Sequence, residues 1–120
     1  MALIADSIFD TALQVITTNG DTINICSSEP ANFAAIAGVD LGNATVTTGS
    51  PQDGDVDGRK VVVGAISNGS VTGTGTATHW ALSNGTDTLY STGSLTASQS
   101  VTTGNSFTLD AISIGIRDAT

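Results

Sequence analysis

The second half of the chain, Gly58 to Ile116, restricts the fold more than any other part. It reads GRKVVVGAISNGSVTGTGTATHWALSNGTDTLYSTGSLTASQSVTTGNSFTLDAISIGI, with apolar or Thr positions alternating with polar ones. Glycine-containing pairs interrupt it at short intervals: Asn68-Gly69, Asn84-Gly85, Thr92-Gly93 and Gly104-Asn105. Short β-branched runs with period two and frequent turn signals predict an antiparallel sandwich or barrel, because alternation turns one face inward. Arg59–Ile66 is the strongest strand and is apolar on both sides (Val61, Val62, Val63, Ala65, Ile66), as a central strand is. Asn68-Gly69 predicts a tight hairpin turn. In the strand that follows, Ser70–Leu82, His79 and Ala81 share one face, and Trp80 and Leu82 the other. Ser106–Ile116 changes parity: Phe107 and Leu109 are odd, Ile112, Ile114 and Ile116 even. The change at Asp110-Ala111 predicts a bulge or a strand passing from one sheet to another.

What precedes Gly58 reads as an attachment to this sheet. Residues 5–16, ADSIFDTALQVI, carry Ile8, Phe9, Ala12, Leu13 and Ile16 at helical spacing. Asp6 or Ser7 suits the cap of that helix, and Asn19-Gly20 a left-handed stop. About three turns of helix are marginal alone, so the apolar stripe requires cover from the sheet or from a neighbouring subunit. Thr22–Ser27 is a short strand. Residues 29–58 read as an irregular loop anchored by Phe33 and Ile36, with a short edge strand from Leu41-Gly42 and Thr45–Thr48. The expectation is one domain over residues 1–120: a helical segment (1–20), a strand plus long loop (21–57) and a β-sheet core (58–116). Its fold class is mostly β, an antiparallel β-sandwich of jelly-roll type with one short N-terminal α-helix.

Charge narrows the partners. Three basic residues, Arg59, Lys60 and Arg117, face eleven acidic ones, for a net charge of −8. Nucleic-acid binding relies on Lys and Arg neutralising phosphates, so DNA, RNA and anionic membranes are not expected partners. No stretch reaches the eighteen or so apolar residues that span a bilayer, and MALIADSIFD lacks the basic start of a secretory signal. The expected site of synthesis is therefore a reducing cytoplasm. Aromatic residues are few, so the core is thin, and contacts with other chains are expected to add stability.

Chemistry is sparse. Cys26 is the only cysteine and His79 the only histidine. A nucleophilic thiol needs a positioned base, and the sequence shows none, so Cys26 reads as a small buried hydrophobe. Asp53, Asp55 and Asp57 before Gly58 imitate the opening of a calcium loop. Gly64 stands where an EF-hand needs a bidentate Glu, and a strand follows instead of a helix. The triplet reads as a solvated acidic turn partly offset by Arg59 and Lys60. No catalytic, cofactor or metal residues are assigned. Trp80 beside His79 reads first as a core or interface anchor.

Taken in order, the N-terminal amphipathic segment, INICSSEP, LGNA, DGDVDGRKVVV, GTATHWAL, LYSTGSL and VTTGNSFTL resemble a family of small virion proteins of tailed double-stranded DNA bacteriophages. The resemblance runs through nearly the whole length and resides in the order of the segments. Proteins of that type resemble head decoration or cement proteins, which sit on the capsid exterior and clamp capsomers. It implies a non-enzymatic structural role and contact with the major capsid protein. Homo-oligomerisation about a symmetry axis, a trimer foremost, is expected because it would cover exposed sheet edges and the helix stripe. The virion exterior is the implied location, after synthesis in the host cytoplasm. Leu3, Ile4, Ile8, Phe9, Phe33 and Trp80 are the expected interface residues. The alternative is a head or tail appendage that recognises a host glycan or receptor through Trp80, Tyr90 and loop hydroxyls.

Overall fold

The computed structural model describes residues 5–54 and 58–116. Helix α1 spans Asp6–Asn19 and is followed by strand β1, Thr22–Cys26. Helix α2 (Phe33–Val39), β2 (Asp40–Thr45) and the two-residue β3 (Gln52–Asp53) complete the first half. The second half is all strand: β4 (Arg59–Val63), β5 (Ile66–Val71), β6 (Gly75–Ser83), β7 (Leu89–Val101), β8 (Ser106–Leu109) and β9 (Ile112–Ile116). The protein is mostly β, antiparallel throughout its ladders, with a short N-terminal helix, as the periodicity predicts.

Six strands form one sheet in the order β7-β6-β1-β2-β5-β8, and three form another in the order β3-β4-β9. Residues directly opposite across a ladder share a face. Ile23 lies opposite Ala44 and Leu82, and Ile25 opposite Gly42 and Trp80. Val71 and Phe107 continue that face through β5 and β8. Onto it pack Val61 and Val63 of β4 and Leu13 and Ile16 of α1, in one continuous core. The opposite face carries a smaller cluster in which Ile36 of α2 covers Cys26 and Ala81. The six-stranded sheet curls enough for its two edges to meet: Gln99 Nε2 on β7 donates to the Thr108 carbonyl on β8 at 2.7 Å.

The parity slip is a sheet change. β8 belongs to the six-stranded sheet and β9 to the three-stranded one, with Asp110-Ala111 as the corner between them. β4 is the central strand of its sheet, with Val61 and Val63 fully buried.

Other expectations need correction. Asn68-Gly69 and Thr92-Gly93 are not turns; both lie inside strands, β5 and β7. Each glycine is there because an aromatic ring lies flat on it from the neighbouring strand. A Cβ at Gly69 would enter the Phe107 ring, and one at Gly93 would come within 2.6 Å of Trp80. The run Ser70–Leu82 divides between β5 and β6. The 29–58 segment is not irregular: it contains α2, whose Asn32 side chain accepts from Ala35 N–H at 2.9 Å, and β2, an internal strand between β1 and β5. α1 starts from Ala5 with no side-chain cap, and it stops at Gly20 with φ −81°, outside the left-handed region.

Candidate functional site

Helix α1 is held down along one side and bare along the other. Phe9, Leu13 and Ile16, at i, i+4 and i+7, are buried in the core. Beside them the Arg59 guanidinium of β4 grips Asp10, with Nε to Oδ1 at 2.8 Å, and reaches Asp53 with Nη1 to Oδ1 at 2.6 Å. Those two carboxylates hold the Arg59 proton more firmly than usual, Asp10 contributing most. Near the other end, Thr17 Oγ1 donates to the Gly49 carbonyl at 2.8 Å. The helix is thus fastened at both ends to the three-stranded sheet and its leading loop.

The outer side of the same helix carries Ile8, 61% exposed, and Val15, 46% exposed, with exposed Ala12 between them. Spacings of four and three residues align these side chains in one stripe. Ile8 and Val15 are the two large hydrophobic side chains that stand exposed among the described residues. By spacing alone Ile8 and Ala12 share one apolar face with Phe9, Leu13 and Ile16, to be covered by the sheet or by a neighbouring subunit. The sheet takes only the Phe9 side of that stripe. Val15 was missed; its seven-residue offset from Ile8 was the available signal.

The other expected interface residues are scattered. Leu3 and Ile4 lie outside the described residues. Phe9 and Trp80 are 4% and 8% exposed, their apolar surface consumed inside the chain. Phe33 is half-buried on α2, on the far face of the large sheet. With Trp80 seated over Gly93, its ring offers no open platform beside the half-buried Tyr90.

Sheet pairing also makes a juxtaposition that the sequence did not reveal. Cys26 lies directly opposite His79 on β6 and opposite Asp40 on β2. The row of acid, thiol and imidazole resembles a nucleophilic constellation on paper. Its hydrogen bonds say otherwise. His79 Nδ1 is 2.9 Å from Thr78 Oγ1 and Nε2 is 3.5 Å from Ser94 Oγ, and Asp40 Oδ1 accepts from Asn24 Nδ2 and Gly42 N–H. Burial, seconded by the Asp40 charge, pushes the Cys26 thiol up to about 11, so it stays protonated at neutral pH. Among the described residues no three His, Cys, Asp or Glu side chains group as a metal site. Asp53 is engaged with Arg59; Asp55 and Asp57 lie outside the described residues. Among the described residues no helix is long and apolar enough to cross a membrane.

Fold and surface together define a mostly-β protein of two antiparallel sheets that presents an apolar helix stripe. No family model, no curated protein and no solved structure matches this chain.

Proposed function

We propose that this chain is a non-enzymatic virion structural protein that decorates and stabilises the exterior of a tailed-phage capsid. In this reading the major capsid protein receives the Ile8–Ala12–Val15 stripe of α1. The observation that carries the reading is that stripe: an apolar surface on a helix fastened at both ends, which binding would not have to order first. The charge of −8 supports an outer position, since a domain facing packaged DNA would be repelled by it. The resemblance of the ordered segments to small virion proteins points the same way. Self-association about a symmetry axis, a trimer foremost, would shield the edges of the three-stranded sheet, β3 and β9, between copies.

The test is binding of the purified chain to capsids that lack it, measured by co-sedimentation. The double variant Ile8→Asp/Val15→Asp is expected to lose at least a hundredfold in affinity, as buried apolar anchors do. Its folding should change little, because both side chains are exposed in the free chain. Undiminished capsid binding by a folded double variant would overturn the assignment of the helix as the docking face.

A further inference from the structure

We infer that the cleft between β7 and β8 is a strand-accepting site for an extended, basic segment of another polypeptide. The curled sheet ends in two edges that face each other. β7 pairs with β6 alone and β8 with β5 alone among the described residues. Between these edges lies a cleft of roughly 300 Å³, floored by Trp80, Leu95, Leu109 and Ile112, with Thr108 and Asp110 along one rim.

Two irregularities suit this space to a strand. Along β7 the register passes from Ser94 opposite His79 to Gln99 opposite Ala77. Leu95–Ser98 therefore bulge away from β6 without register partners there, and Leu95, Thr96 and Ala97 line the cleft. Across the gap, the Thr108 carbonyl accepts a hydrogen bond from the Gln99 side chain. A glutamine side chain plus one hydrogen bond can reach on the order of 9 Å between backbones, about two strand spacings. One strand fits between, pairing to either side, in place of the single side-chain bridge.

Charge selects the occupant. Asp110 stands exposed at the rim, and among the described residues no Lys or Arg lines the cleft. A second copy of this chain would bring another charge of −8 to the site. A segment of a different protein carrying Arg or Lys opposite Asp110 is complementary, with alternate apolar side chains turned toward the half-buried Leu95 and Ile112. The inference is independent of the helix stripe, which lies on α1.

Trp80 is the only tryptophan, so its emission reports on the cleft without labelling. The probe is a capped heptapeptide alternating valine and threonine around a central arginine, titrated into the full chain. Saturable change in Trp80 emission is expected, together with slowed amide exchange over 94–99 and 106–109. The same peptide N-methylated at alternate residues should bind at least tenfold more weakly, and a glutamate-centred peptide at least fivefold. Asp110→Asn should erase the arginine preference, and Gln99→Ala, by freeing the Thr108 carbonyl, should bind no more weakly than the parent. Ile8→Asp/Val15→Asp should bind the peptide like the parent, which separates this site from the helix face. Absent response of Trp80 and of the edge amides, or equal binding of the N-methylated peptide, would overturn the inference. So would displacement of the peptide by self-association of the chain, which would make a second copy the occupant.

Discussion

At the residue scale, two aromatic side chains and the glycines beneath them set much of the large sheet. Phe107 lies on Gly69 from the adjacent strand, and Trp80 on Gly93. A methyl group at Gly69 must displace the Phe107 ring from a core position that is 2% exposed. Gly69→Ala is therefore expected to cost about 1–3 kcal/mol by overpacking, and Phe107→Leu in the same chain to recover part of that loss. Urea denaturation of the two single variants and the double one checks this; strictly additive losses would contradict it. In sequence, Asn68-Gly69 and Thr92-Gly93 carried a turn signature, and nothing local distinguishes a turn glycine from one that seats a ring. The information lies in the cross-strand partner, which only the register supplies. Cys26 gives a second prediction. Its thiol ionises near 9.0 when unperturbed but near 11 in the fold, so between those values the unfolded chain alone releases the proton. Stability should fall as pH rises through that window, and Cys26→Ala should fall less steeply over the same range. Equal slopes for parent and variant would show that the fold does not hold the thiol protonated.

At the element scale, α1 is a clamp point as well as a surface. Asp10 is the half-buried partner of Arg59, whereas the Asp53 side chain is 91% exposed. Asp10→Ala is expected to lower the urea midpoint more than Asp53→Ala, because solvent and side-chain entropy weaken exposed pairs. The reverse order would move the anchor of the helix to the acidic turn. For α2, loss of the side-chain cap in Asn32→Ala should cost about 1 kcal/mol, seen as early loss of helical signal on heating. No change in stability would mean that packing of Ile36 alone holds the helix. α1, β1, β4 and the crossing at Asp110-Ala111 were legible because period and parity are local properties of the chain. α2 was not, and β2 only as an edge strand at Leu41-Gly42: seven residues of mostly Ala, Gly and Val give no clear helical period, and Pro30 just ahead suggests a loop. The cap at Asn32 was the readable trace. Of the candidate site, Ile8 was legible as an apolar helix residue, but which side of α1 the sheet covers was not. That choice is made by packing between segments far apart in sequence.

At the scale of the whole molecule, three properties act together. The described chain is elongated, 48 × 26 × 22 Å, with a core drawn mainly from Val, Ile and Leu. It is strongly anionic, and its large exposed apolar side chains line up on a single helix. The exposed stripe, the negative surface and the pair of unpaired sheet edges are features of a protein completed by contact with others. The edges could not have been located from sequence, because strand order depends on which distant segments meet. The most direct trial of the decoration reading is a cryo-EM reconstruction of the phage particle that carries this chain. Copies should appear on the outer surface of the shell, with Ile8 and Val15 of α1 against the major capsid protein. Copies inside the shell against the genome, or α1 turned outward to solvent, would contradict it.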